Sequence, residues 1–270
     1  MIGYIYLSLN NIIIICNTDI TNTCWKVDGE KMKKLLNKLL IYIMTVVFIL
    51  SLYNLYKIFN EYKRNKDTYR EVVDIVVSDD EISIKNEEYN RLKEINEDYL
   101  FWIFVPNTNI NYPVVKPDNN EEYLYKNFKG EENKGGSIFI DSRNTLEDDN
   151  IILHGHNMKD KSMFGTLSNL LKSEFLNDNK NIYIYLENEV LEYEIFSVYV
   201  THGEDFPYKR NFLDYEDFYN YIDSAMNKSV QSLRYDDDGK KNIITLSTCT
   251  NATGDERTIV NAKLKSIKYN

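Results

Sequence analysis

Cysteine is almost missing from this chain. There are three, Cys16, Cys24 and Cys249, in 270 residues. The first two precede the main hydrophobic segment, so everything after that segment holds a single thiol. That excludes a disulfide framework there, and with it a zinc site built on cysteines. Histidine is as scarce, with His154, His156 and His202 alone. No basic patch with interleaved aromatics appears, and the net charge is −10. Nucleic acid is therefore not an expected partner, and the acidity reads as a solvated surface. There are no internal repeats and no low-complexity linker.

What is present suits one domain of ordinary size with extra segments: 43% of residues are hydrophobic and 27% charged. Tyrosine, at 22, favours strands and edges over a purely helical protein. Leu39 to Tyr56 runs 18 residues without a charge, flanked by Lys38 and Lys57. It is apolar all round, close to the minimum length for a membrane span, and no small-residue cleavage site follows it. We read 39–56 as an uncleaved N-terminal anchor and 57–84 as a helical stalk. Lysines flank both ends, so charge alone does not orient the span. Residues 1–31 are an uncertain extension, because Met32-Lys33-Lys34 resembles an ordinary start ahead of an anchor; translation from Met32 is the expectation.

Beyond the stalk the period changes. A helix is expected over Glu87 to Tyr99, with Tyr89, Leu92 and Ile95 on one face. Strands are expected over Trp102 to Val105, over Ile110 to Val115 with an interruption at Pro113, and over Ser137 to Ile140. Another, Asn150 to Leu153, enters the loop His154-Gly155-His156-Asn157-Met158. Phe164, Leu167 and Leu171 mark a short helix. Ile182 to Leu186 and Val190 to Val200 read as a hairpin. Asp214 caps a helix with Phe218, Ile222 and Met226 on its buried side. Asn242 to Thr248 and Thr258 to Ile267 are the last strands. Many short strands with a few helices imply a mainly β barrel or sandwich.

Cys249 ends one of those strands, and Arg257 follows eight positions on. A lone cysteine is ordinarily a small buried hydrophobe. A thiol nucleophile needs a proton partner working near neutral pH, which a histidine supplies. Acyl transfer also needs a donor for the developing oxyanion, which Arg257 can supply. The ordinary roles of these residues are a loop or metal-binding histidine and an arginine paired with Asp255 or Glu256. No third metal ligand accompanies His154 and His156.

Thr245-Leu246-Ser247-Thr248-Cys249, Arg257 beyond it, and Gly155-His156-Asn157-Met158 upstream resemble the sortase family. The likeness extends over Trp102 to Pro106, Tyr112 to Val115 and Gly136 to Asp141, and covers residues 85–270. A helical N-terminal portion and a helix at about Tyr215 to Asn227, before the cysteine strand, make class B the match. The resemblance implies a closed β-barrel with N-terminal helices and a helix inserted before the Cys-bearing strand. It implies a cysteine transpeptidase that needs no cofactor or metal. The enzyme would cut a C-terminal sorting signal of secreted proteins after its threonine and pass them to an amine of peptidoglycan or its precursor. It implies a single-pass membrane protein with the catalytic domain outside the cell. Carried over, Cys249 is the nucleophile, His156 the general acid and base, and Arg257 the oxyanion donor. His154 is set aside, since the family pattern places the catalytic histidine after the glycine. In a regular strand Ser247 shares the face of Cys249, so it is expected to line the substrate groove. Tyr208 and Thr250 are further candidates for substrate contact. A thiol endopeptidase with water as acceptor, and a tethered adaptor that only binds sorting signals, are the competing readings.

Overall fold

Eight strands close on themselves to build the part of the chain that carries Cys249. In the computed structural model the backbone is described for residues 4–9, 12–17, 24–78, 81–203, 208–249 and 255–269, with side chains over 30–77, 82–203, 208–248 and 255–269. The chain divides into two compact units, Met1–Glu61 and Tyr62–Asn270.

In the first unit, β1 (Tyr4–Leu9), β2 (Ile12–Asn17) and β3 (Cys24–Asp28) form a three-stranded antiparallel sheet. Helix α1 then runs from Gly29 to Val76 and crosses the boundary between the units. It contains the expected span, with a window of mean hydropathy 2.2 that is unburied within the protein. By length and composition it can cross a membrane.

In the second unit the last turns of α1 are not a bare stalk. Tyr69, Val72 and Val76 are buried in the main core, and the Tyr69 hydroxyl donates to the carbonyl of Gly136 at 3.0 Å. A short antiparallel pair, β4 (Val77–Ser78) with β5 (Glu81–Ile82), precedes α2 (Asn86–Ile95). This helix ends earlier than its apolar spacing suggests. Asn96 leaves the helical region at φ −147°, and its side-chain oxygen accepts from the amide of Asp98 at 2.8 Å. Tyr99 is thereby released to begin a strand.

The barrel strands are β6 (Tyr99–Phe104), β7 (Asn111–Val115), β8 (Ile138–Ile140), β9 (Asn150–His154), β10 (Asn181–Leu186), β11 (Glu189–His202), β12 (Ile243–Cys249) and β13 (Glu256–Tyr269). Their order round the barrel is β10-β11-β13-β12-β9-β8-β7-β6, with β6 returning to β10. Two neighbouring pairs are parallel, β7 with β8 and β9 with β12. Pro113 does not interrupt β7; the ladder to β8 starts only at Val114, the residue after it. Alternation sends Ile244 and Leu246 of β12 into the main core with Leu153, Ile195 and Val260. The opposite face of β11, β12 and β13 is covered by α4 (Tyr215–Lys228). Its Phe218, Tyr221, Ile222 and Ala225 pack on Phe196, Tyr199, Ile243 and Ile259. Asp214 caps α4 as expected, accepting from the amide of Asp217 at 2.8 Å. The expected fold is therefore the observed one: a closed, mainly β barrel with N-terminal helices and a helix before the cysteine strand.

Candidate active site

Strand order brings three sequence candidates to one end of the barrel. β9 and β12 run in parallel, so both finish at the same end, and the antiparallel β13 starts there. Cys249, the last residue of β12, lies opposite Arg257 of β13. Ser247 lies beside His154, the last residue of β9, and the amide of Gly155 donates to the Ser247 carbonyl at 3.4 Å. His156 follows two residues beyond His154, as Cys249 follows two beyond Ser247. Three adjacent strands thus deliver His156, Cys249 and Arg257 to one rim. The side chain of Cys249 and the whole of Thr250 lie outside the described residues.

The turn at His156 is shaped by its neighbours. A Cβ on Gly155 would sit 2.8 Å from the Phe164 ring. The loop therefore closes against that ring only with glycine here, and the Phe164 amide donates to the His156 carbonyl at 3.0 Å. On the imidazole, Nε2 is 2.8 Å from the Leu124 carbonyl oxygen. A carbonyl only accepts, so this nitrogen carries the hydrogen. The Leu124 carbonyl is itself held closely: Gly136, at φ +59°, would put a Cβ within 2.5 Å of it. The ring of Tyr125 lies 6.1 Å from that of His156.

Arg257 places Nη1 3.4 Å from the backbone oxygen of Glu256. Tyr208 and Ser247, both expected at substrate, meet directly, with Tyr208 Oη 2.9 Å from Ser247 Oγ. Ser247 is buried beneath that contact. The two histidines of the loop go to different partners. His154 turns to Asp141, Nε2 to Oδ2 at 3.3 Å, and His202 lies opposite Glu256 at the end of β11. Two clefts on the described surface lie elsewhere. One is lined by Glu194, Tyr235, Asp238 and Lys263, the other by Phe101, Ile184, Leu186 and Ile267. Neither includes His156, Tyr208 or Ser247.

Sequence reasoning gave no role to Asp141, Arg143 or the Leu124 carbonyl. Asp141 is buried, and burial alone would raise its pKa. Hydrogen bonds from His154, Arg143 and Asn120 outweigh that and hold the carboxyl well below its usual range. The one available signal was an acid and an arginine two positions apart, Asp141 and Arg143, straight after an apolar strand. The Leu124 carbonyl, a backbone group, leaves no mark in residue types.

Fold and placement together define an eight-stranded barrel with a cysteine at the end of a strand, an arginine opposite and a histidine loop beside it. The family model for the Sortase domain matches residues 103–265. Curated sortase B of Listeria monocytogenes is 33% identical over 225 residues, covering 81% of this chain and 92% of that protein. Sortase B of Clostridium perfringens, a solved structure, is 38% identical with a TM-score of 0.62, covering 66% of this chain and 100% of that one. A Staphylococcus aureus sortase B–substrate complex is 30% identical with a TM-score of 0.69, covering 76% and 98%. The chain belongs to the sortase family, and within it is most like the class B enzymes.

Proposed function

We propose that this sortase is a membrane-anchored cysteine transpeptidase working through Cys249, His156 and Arg257. The Cys249 thiolate attacks the carbonyl carbon of the threonine in a C-terminal sorting signal. Arg257 donates to the oxyanion that forms. Collapse breaks the peptide bond, and His156 gives its proton to the leaving amine, which leaves a thioester on Cys249. An amine of peptidoglycan or its precursor then attacks that thioester, loses its proton to His156, and departs as the new amide while the thiolate is regenerated. Splitting amide exchange into two acyl transfers lowers each barrier.

The observation that carries this reading is the pairing of Cys249 with Arg257 across β12 and β13, beside the end of β9 that leads to His156. The hydrogen bond to Leu124 adds a detail. With Nε2–H committed to that carbonyl, Nδ1 is the nitrogen left to exchange protons with substrate. Helix α1 would hold the enzyme in the membrane as a single pass, with the barrel outside the cell and secreted proteins as its clients. Residues 39–56 are the span in this reading, and 85–270 carry the catalytic machinery. Tyr208 and Thr250 would line the groove, with Ser247 beneath Tyr208 at its floor.

Quenched peptides carrying candidate sorting signals, given with and without an amine acceptor, test the proposal. Cleavage that disappears in Cys249→Ala and yields an amide when the amine is present is the expected result. Free acid as the sole product under both conditions would instead mean a thiol endopeptidase. Binding of the peptides without cleavage, and without reaction of Cys249 with a vinyl sulfone, would mean an adaptor.

A further inference from the structure

We propose that Asp141 and His154 form a positioning pair that holds Tyr208 against Ser247, and so sets how tightly the groove beside Cys249 takes the sorting peptide. The inference rests on the reading of Cys249 as nucleophile, and it gives a role to the histidine that the family pattern leaves aside.

Asp141 follows β8 and is 1% exposed. Oδ1 accepts from Arg143 Nε at 2.9 Å and from the Arg143 amide at 3.0 Å. Oδ2 accepts from Arg143 Nη2 and Asn120 Nδ2, both at 3.0 Å, and lies 3.3 Å from His154 Nε2. A carboxylate gripped this way is an anion and only accepts. His154 Nε2 therefore carries a hydrogen, and the plane of the ring is fixed from one edge. The Phe139 ring, 5.4 Å away, supports it. The pinned imidazole then meets Tyr208 edge to face at 5.2 Å.

The two residues that follow Tyr208 are held as well. Asn150 donates its side-chain amide to the Lys209 carbonyl at 2.9 Å and its backbone amide to the Arg210 carbonyl at 2.8 Å. The Arg210 guanidinium donates to the carbonyl of Arg143, the residue that clamps Asp141. The Tyr208 hydroxyl reaches Ser247 Oγ at 2.9 Å. Ser247 pairs with His154 across β12 and β9, two residues short of Cys249. Asp141, His154, Tyr208 and Ser247 are thus linked in series, ending one strand repeat from the thiol. Loss of His154 removes the support under Tyr208 and leaves the Cys249 strand itself in place, so the effect belongs to peptide affinity and not to bond cleavage.

The test uses the full chain in detergent and a quenched peptide that the wild type cleaves. His154→Ala is expected to raise KM about tenfold, or ~1.4 kcal/mol, with kcat within about twofold. His154→Gln keeps an N–H donor for Asp141 and is expected to recover most of that loss. Tyr208→Phe should raise KM too, and the His154→Ala/Tyr208→Phe pair should be no worse than the worse single change, because both cut one series. Vinyl-sulfone labelling of Cys249 should match the wild type in every variant. A fall in kcat at unchanged KM, a glutamine variant as poor as the alanine one, or additive effects would overturn the proposal. Cleavage of the same peptide by Cys249→Ala would sink the nucleophile reading instead, which is a separate result.

Discussion

A methyl group on Gly155 would meet the Phe164 ring at 2.8 Å, and His156 is the next residue. Gly155→Ala must therefore displace the ring or the turn that aims the imidazole. Misplacement by an ångström of a catalytic group costs up to about a hundredfold. We expect kcat/KM for the quenched peptide to fall at least ~10-fold, with the midpoint of thermal unfolding falling little. Gly155→Ala/Phe164→Leu should recover part of the rate by making room. Equal rates for Gly155→Ala and the wild type would show that His156 does not depend on this turn. Asp141 sets a pH dependence at the same scale. Its folded-state pKa is depressed, so its contribution to stability is present above the unfolded value of about 3.9 and is lost as pH falls below it. Asp141→Asn should therefore unfold at a lower temperature than the wild type at pH 6. The gap should narrow as pH drops from 4 toward 2. Thermal melts across that range check both, and a gap that stays constant would contradict the assignment.

At the scale of elements, Asp214 is the cap of a helix that shields the outer face of three barrel strands. Asp214→Ala should cost about 1 kcal/mol of stability, read by denaturant melts, with peptide cleavage at the wild-type rate because α4 lies behind the strands that carry the candidate residues. Elements of this kind were legible in the sequence. Asp214 before an amphipathic run announced α4, and alternation in Leu191, Tyr193 and Ile195 announced β11. Boundaries were harder. Asn96 ends α2 with a hydrogen bond to the amide of Asp98, and spacing of apolar residues cannot show that. At the site, Cys249, His156 and Arg257 stood out because their residue types are rare or sit in a recognisable motif. His154 did not. Its partner Asp141 is thirteen positions away, just past the end of another strand, and only the pairing of β8 with β9 brings them together.

For the whole molecule, the two compact units meet at residues 61 and 62. All the candidate residues fall in Tyr62–Asn270, while the apolar stretch Leu39–Tyr56 falls in the other unit. A variant beginning at Tyr62 should keep peptide cleavage within about twofold, since every side chain invoked in the mechanism remains. It should also move from the membrane fraction to the soluble one, as loss of an apolar span of this length implies. Fractionation and the peptide assay read the two effects separately. Retention of the truncated protein in the membrane fraction would show that another part of the chain binds lipid.

The parallel pairing of β12 with β9 has a consequence in time. Ile243 meets Asn150, a residue 93 positions earlier, and contacts so distant in sequence form late and slowly. β12 must also lie between β9 and β13, and β13 follows every other barrel strand in the chain. Until the barrel closes, Cys249 has no arginine opposite and no histidine loop beside it. On the proposed mechanism, an emerging or half-folded chain would carry an ordinary thiol, and reactivity toward acyl groups would arrive only with the closed barrel. Topology alone would then keep the proposed nucleophile inert during synthesis.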